Sequence, residues 1–369
     1  MQRTVDIHLS ELLSGVEALA PFELSLLDAR GCRLAADIAA PTALPAFSSS
    51  TCEGYAVLTS DVSGASEGTP VRLVVVDEVR PGCRPRRAVV PGAAVLVHLG
   101  SALPEGTEAV VHAGDVELDG DVVIITEPVR EGDHVRRAGV EMGQGATVLP
   151  RGARVDARRM SLLAATGVGG VLAHPRPRVV IVTVGDELVE PGATIHPGVV
   201  ADSNGVMLAG LVQQLGAVAY RVGPVPDDAE KLQQILADQL VRADLMIVVG
   251  GISASSYQTI SDVANELGSM QIHRVAMLPG VAQGFGHLGE DRIPVMTLPG
   301  YPAAAYVSFE VFVRPVILRM AGADDLEHAP VRAQLQTGLR SPAGRRQFVP
   351  SVRLPGEDGV LRVQPLHSE

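Results

Sequence analysis

Paired acids, hydroxyl runs and glycine turns at the ends of apolar segments are the parts of this chain that could do chemistry. Val184-Gly185-Asp186-Glu187 sets two adjacent carboxylates behind a branched apolar run. Hard oxygen donors of this kind suit a divalent cation, which can bridge phosphate oxygens; a solvated turn with a helix-start acid is the plainer alternative. Leu245 to Gln258, LMIVVGGISASSYQ, ends an apolar run of strand length at Gly250-Gly251 and continues through Ser253, Ser255 and Ser256. Adjacent glycines let backbone N–H groups come up to an anion. The hydroxyls either bond an oxyanion or make an ordinary turn. Leu278-Pro279-Gly280-Val281 and Leu298-Pro299-Gly300-Tyr301-Pro302 repeat the pattern. As ends of parallel strands in one sheet, these loops would all gather at its carboxyl edge, where ligands bind.

Other segments have plainer readings. Asp202-Ser203-Asn204 and Asp227-Asp228 are expected to cap helices. Arg136-Arg137 near Glu141 would grip a phosphate or form a surface ion pair, and the ion pair is the default. Gly284-Phe285-Gly286-His287-Leu288-Gly289 matches a nucleotide-binding glycine pattern by letter, yet it leads into a strand and opens no helix. No P-loop, serine-hydrolase elbow or zinc-protease motif occurs, and the 10 histidines are scattered.

The elements that must position these loops follow a regular pattern after the hinge His174-Pro175-Arg176-Pro177. Strands are expected at 178–184, 218–222, 245–249, 272–277 and 293–298. Helices are expected at 204–215, 229–240, 260–267 and 302–320. That alternation predicts a doubly wound, mainly parallel sheet covered on both faces. Before the hinge, Val5, Ile7 and Leu9 read as an extended lead-in, Ser10 as an N-cap, and 12–19 as a short helix. From 21 to 144 short β-type runs cut by Pro-Gly turns predict an inserted, mainly β domain. The helical patch at 156–166 is expected to pack beside the first helix, so that 1–20 and 145–176 form one discontinuous helical linker domain. The α/β domain would then cover 177–322, and 323–369 a C-terminal β domain that stays incomplete.

Bulk properties agree with a multidomain α/β and β protein. At 369 residues one core is too few. Hydrophobic content of 46% with 20% charged residues argues against global disorder. A formal charge of −12 and the absence of Trp oppose nucleic-acid binding. The 3 cysteines form no C-x-x-C pair, the N-terminus has no signal-peptide core, and no apolar run is long enough to span a bilayer. A cytoplasmic protein without membrane insertion is expected.

The order of motifs resembles the molybdenum insertase family, called MoeA in bacteria and the E domain of gephyrin in animals. The resemblance runs from about residue 5 to 322. It is carried by Ala29-Arg30-Gly31, Glu53-Gly54-Tyr55, Leu103-Pro104-Glu105-Gly106, Arg136-Arg137-x-Gly139, Gly185-Asp186-Glu187-Leu188, Asp202-Ser203-Asn204, Gly250-Gly251-Ile252-Ser253, Pro279-Gly280 and Leu298-Pro299-Gly300-x-Pro302. It implies an elongated homodimer that takes adenylylated molybdopterin, inserts molybdate and releases AMP, with a divalent cation such as Mg²⁺ at the phosphates. It also implies a pocket shared between subunits, with Glu53 and Glu141 facing Glu187 and Asp227 of the other chain. Glu187 and Asp227 would hold the metal. Gly250, Gly251, Ser253, Ser255, Arg274, Pro299, Gly300 and Pro302 would bind the pterin and phosphate groups.

Departures from the family's pattern are numerous. Glu53 and Glu141 stand where the family has aspartates, Leu99 for a threonine, Ser255 for a glycine, Gln258 for an aspartate, Leu278 and Val281 for lysines, and Tyr301 for an asparagine. Each lost lysine removes a charge-assisted hydrogen bond worth roughly 1.5–3 kcal/mol. Three readings are therefore carried forward. The first is a divergent molybdopterin molybdenumtransferase. The second is a degenerate dimer acting as a scaffold for a protein partner. The third is an enzyme for another adenylylated or pterin-like substrate, with Leu99, Leu278, Val281 and Tyr301 making a drier pocket.

Overall fold

A computed structural model describes residues 3–250, 254–354 and 360–366. The branched apolar runs after the hinge form one sheet: β1 (Arg178–Val184), β2 (Val218–Val225), β3 (Leu245–Gly250), β4 (Gly268–Arg274), β5 (Ala282–Leu288) and β6 (Ile293–Pro299). Their order is β2-β1-β3-β6-β5-β4. The first four are mutually parallel, while β5 runs antiparallel to both β6 and β4. Side chains alternate across a strand, so a continuous apolar run is stable only when both faces are covered. In β3, Leu245, Ile247 and Val249 enter one core and Met246 and Val248 the other.

Helices fill both sides. Those of the second half are α3 (Ser203–Gln214), α4 (Ala229–Leu240), α5 (Ala254–Leu267), α6 (Pro302–Ser308) and α7 (Arg314–Met320). Leu208 and Val212 of α3 share a core with Phe309, Phe312 and Val316, while Leu232 and Leu236 of α4 share the opposite one with Ile260 and Val263 of α5. The expected helix over 302–320 is interrupted by a π-helical stretch, Phe309–Val313. Pro315 follows, and a proline has no N–H for the regular helical ladder.

Three further expectations need correction. The strand expected at 272–277 is shifted, since β4 starts at Gly268 and ends at Arg274, and β5 was absent from the predicted set because its glycines hide the apolar pattern. A side chain at Gly284 would meet the Thr297 hydroxyl, and one at Gly286 the Ser269 carbonyl, so these glycines serve close strand pairing. The expected extended lead-in at Val5, Ile7 and Leu9 is instead helical, and the helix ends at Ser14. In α1 (Val5–Ser14) the Thr4 hydroxyl accepts the Ile7 N–H at 3.2 Å, and Val5, His8 and Leu12 form the buried stripe. That stripe joins the α/β core beside Ile181 and Phe312. The other early helix, α2 (Ala157–Ala165), sends Leu163 into a separate core with Leu34 and Val171. The two helices therefore do not pack together as expected.

What joins the outgoing and returning segments before the hinge is a run of strand pairs. Phe22–Ser25 and Arg33–Leu34 flank Gly170–His174, Ile38–Ala39 pairs with Thr147–Leu149, and Ser49–Ser50 with Val135–Arg136. Between them lies a six-stranded sheet in the order 109–112, 54–57, 93–97, 71–79, 122–125 and 116–119. Near the C-terminus, Arg346–Gln347 pairs with Met277–Leu278, and Arg346 forms a bidentate pair with Asp6 at 2.9 and 3.0 Å. Among the described residues no helix is long and apolar enough to cross a membrane.

His8 is buried, its Nδ1 has no hydrogen-bond partner among the described residues, and its ring meets Phe312 edge-on at 4.9 Å. Burial, aided by the nearby His273 and Arg3 charges, lowers its pKa from 6.5 to about 4. The unfolded chain therefore binds a proton that the folded chain rejects. This contribution to stability is intact above pH 6.5 and is lost as pH falls toward 4. Urea unfolding should show a loss of about 2–3 kcal/mol over that interval, and His8→Leu should flatten the dependence.

Candidate active site

The central parallel strands end in register. Val184 lies beside Gly250, and Gly250 beside Pro299. After β1 the chain turns outward to β2 and then crosses back to β3, so the connections diverge to opposite faces between β1 and β3. Such a divergence opens a crevice at the carboxyl edge. A cavity of about 250 Å³ lies there, with Thr183, Glu187, Asp202, Ser203 and Asn204 as its polar wall. Val184, Leu188, Val200, Val249 and Pro302 supply the apolar wall, with Gly250 and Gly300 in the floor. A side chain at Gly250 would stand 2.9 Å from both Ile260 Cδ1 and Val184 Cβ, so only glycine lets the strand end there.

Asp202 organises this edge. It is 1% exposed, and it caps α3 by accepting the Gly205 N–H at 2.8 Å on Oδ1. Its Oδ2 accepts the Thr183 hydroxyl at 2.9 Å and the Arg221 guanidinium at 3.1 Å. Arg221 also donates to Glu190 at 2.6 Å. Hydrogen bonding to Glu190, and secondarily to Asp202, pushes the Arg221 pKa upward against the effect of burial. Capping, the sequence reading of this triplet, is thus one of several bonds to the same carboxylate. Asn204 donates from Nδ2 to the Gly300 carbonyl at 2.7 Å, which joins α3 to the loop before α6. Its buried Oδ1 has no partner among the described residues, leaving an acceptor for a ligand donor.

Of the residues expected in the site, Glu187, Gly250, Gly300 and Pro302 line the cavity, and Pro299 is the neighbour of Gly250 in the sheet. Gly251 and Ser253 lie outside the described residues. Ser255 falls in the first turn of α5, so the segment after the glycines is helical from Ala254. Gln258 donates to Asp262 at 2.7 Å along that helix. Asp227 is not in the cavity wall, but its N–H donates to Asp186 Oδ1 at 3.1 Å, which ties the ends of β1 and β2. Asp228 alone makes the expected cap, accepting the Lys231 N–H at 3.0 Å. Arg274 is exposed at the end of β4 and does not line the cavity. Glu53 and Glu141 lie in the inserted sheet region: Glu53 is 3.6 Å from His98, and Glu141 pairs with Arg136.

Sequence reasoning missed Thr183, Arg221 and the recognition role open to Asn204. Thr183 was the one available signal, a lone hydroxyl in the apolar run RVVIVTV. None of Leu99, Leu278, Val281 and Tyr301, the residues expected to make a drier pocket, lines this cavity. Leu99 and Tyr301 are 64% and 65% exposed.

Comparison with known proteins places these observations. Residues 3–167 match the MoeA N-terminal region (domain I and II), and residues 180–319 match a probable molybdopterin binding domain. The chain is 35% identical over 352 residues to molybdopterin molybdenumtransferase 2 of Mycobacterium tuberculosis, covering 94% of this chain and 86% of that protein. It is 32% identical over 380 residues to molybdopterin molybdenumtransferase 1 of the same organism, covering 99% and 89%. The molybdopterin biosynthesis MoeA protein of Pyrococcus horikoshii superposes with a TM-score of 0.83 at 29% identity, covering 100% of this chain and 90% of that one.

Asp202→Ala should cost about 2–4 kcal/mol, because it removes a cap and leaves a half-buried arginine with one partner fewer. Gly250→Ala should cost about 1–3 kcal/mol by overpacking. Urea unfolding of both variants measures this, and a cost below half a kcal/mol, about the size of a neutral surface change, would remove Asp202 from its central place.

Proposed function

The chain belongs to the molybdopterin molybdenumtransferase (MoeA) family, and on that premise we propose that the cavity at the ends of β1, β3 and β6 is its molybdopterin-nucleotide site. Members of this enzyme family act in molybdenum cofactor biosynthesis. The reaction proposed here is insertion of molybdate into adenylylated molybdopterin with release of AMP. The observation that carries the assignment is one acceptor-rich wall, Glu187, Asp202 and Asn204, set against the Gly250 floor and the first turn of α3. The start of a helix offers backbone donors and a positive dipole end to phosphate oxygens. Asn204 Oδ1 would receive a ring or amino N–H of the pterin, and the apolar wall would hold the ring face.

Glu187 acts as the acid or base at the phosphate end. Gly251, Ser253 and Ser255 remain proposed anion donors. Arg274 remains a proposed basic group that reaches the ligand from outside the cavity wall.

Among the described residues no group of three or more His, Cys, Asp or Glu is arranged to hold a metal ion. The donors fit a magnesium ion only as one shared with substrate phosphates, since Mg²⁺ commonly takes one or two carboxylates and keeps several waters. Glu187 lines the cavity, and Asp227 is tied to the adjacent strand end through Asp186; these two would hold it. When bound, the ion would supply charge neutralisation at the phosphates.

The proposed assembly is a homodimer related to gephyrin's E domain, in which Glu53 and Glu141 of one subunit complete the cavity of the other. Its proposed divisions are the inserted β domain at 21–144, the α/β domain at 177–322 and the C-terminal β domain at 323–369. The linker comprises 145–176 with the early strands that pair with it. The cytosol is its proposed location, and its 3 cysteines are free.

Purified protein incubated with adenylylated molybdopterin, molybdate and Mg²⁺ should release AMP, and Glu187→Gln should lower the rate about a hundredfold or more, the low end of a general acid–base contribution of about 10²–10⁴. Absence of both AMP release and ligand binding by calorimetry would defeat the assignment. Co-expressed Glu53→Gln and Glu187→Gln chains should regain part of the activity that each variant loses alone. No recovery in a mixed dimer would show that the cavity is not shared.

A further inference from the structure

The inserted sheet brings a histidine against one of the proposed acids by strand register alone. Gly54 is paired with Val97 in antiparallel strands, so the next residues outward, Glu53 and His98, stand opposite each other. The neighbouring strand on the other side of 93–97 ends with Glu78 and Val79, and the His98 N–H donates to the Val79 carbonyl at 3.2 Å. Three strand ends thus deliver Glu53, His98 and Glu78 to one place. His98 Nε2 lies 2.9 Å from Glu78 Oε1, and Arg80 Nε donates to the same oxygen at 2.8 Å. His98 Nδ1 lies 3.6 Å from Glu53 Oε2. The backbone of this corner is also fixed, because the Ser101 hydroxyl donates to the His98 carbonyl at 2.8 Å and the Ala113 N–H to the Glu53 carbonyl at 2.9 Å.

The proton bookkeeping gives this row a direction. A carboxylate accepts only, so Glu78 requires the proton on His98 Nε2. The remaining nitrogen, Nδ1, then faces an oxygen of Glu53. If both were unprotonated, two lone pairs would oppose each other. One proton in that gap, on either Nδ1 or Oε2, turns the opposition into an attraction. The hydrogen bonds from Arg80 first and His98 second hold the Glu78 carboxyl below the usual carboxylate range, so the far end of the row stays ionised and able to accept from Nε2.

We infer that His98 is a positioning residue for Glu53: it fixes the direction of that carboxylate and shares a proton with it, drawing on the Glu78–Arg80 pair behind. The inference rests on the reading that places Glu53 at the transferase site. There, when Glu53 passes the single proton of this gap to a substrate oxygen, Glu53 is left a carboxylate and the imidazole neutral, with the remaining proton still on Nε2 and donated to Glu78. Solvent restores the Nδ1 proton.

The test has two independent readouts. The first is the titration of His98 by NMR in the intact protein, compared with Glu53→Gln and Glu78→Gln. Each variant removes one anion beside the imidazole, so the midpoint should fall by about half a pH unit or more in both. An unchanged midpoint in Glu53→Gln would overturn the inference, with no need for activity. The second is the pH profile of AMP release. In His98→Gln the acidic limb should shift while the circular dichroism spectrum and KM for the nucleotide stay as in the parent. A profile that keeps its shape and only loses height would reduce His98 to a packing residue and overturn the inference. If the parent protein releases no AMP at any pH, the transferase reading fails, and the NMR titration still decides whether the proton is shared.

Discussion

The buried carboxylate of Asp202 is the constraint on which this carboxyl edge depends. A charge taken out of water needs several donors, and here they come from different elements: Thr183 from β1, Gly205 from α3 and Arg221 from β2. Satisfying one group therefore fixes the relative placement of two strands and a helix. Gly205 is part of the same requirement, since a side chain there would press on Asp202 and on Arg221 Nε. With those elements fixed, Asn204 is held against Gly300, and the cavity between them has a defined width.

Much of this was legible in the chain. The strands around Arg178–Val184 and Leu245–Gly250 could be placed because buried parallel strands read as unbroken branched runs, and the glycine turns told where they end. The family could be named from the order of short motifs. Harder to read were interactions whose partners lie far apart in sequence. Asp202 looks like a cap because its cap partner is three residues away, whereas Arg221 becomes its neighbour only when β2 lies beside β1. β5 was hidden by glycines needed for close strand approach. α1 was misread because Val5, Ile7 and Leu9 alternate like a strand, while the stripe that packing selects is Val5, His8 and Leu12.

The departures from the family's motifs look different once placed. Leu278 pairs with Gln347 of the C-terminal segment, and Val281 accepts the Val275 N–H at 2.7 Å within the turn between β4 and β5. Tyr301 is the exposed N-cap of α6. None of these positions belongs to the polar wall of the cavity, which within one chain is built by Thr183, Glu187, Asp202, Ser203 and Asn204.

The paired segments that lead into and out of the inserted sheet carry a wider consequence. Ile38 is the cross-strand partner of Leu149, so the chain leaves and returns one strand spacing apart. Everything between can be exchanged, enlarged or lost by a single genetic splice without stretching what remains, because the remainder needs only a hairpin turn to close. The same ladder makes the insert an arm mounted on a narrow ribbon: it is free to drift in sequence as a unit while its attachment stays put. Evolution could thus retune the arm, including the Glu53 corner, at a pace independent of the α/β body.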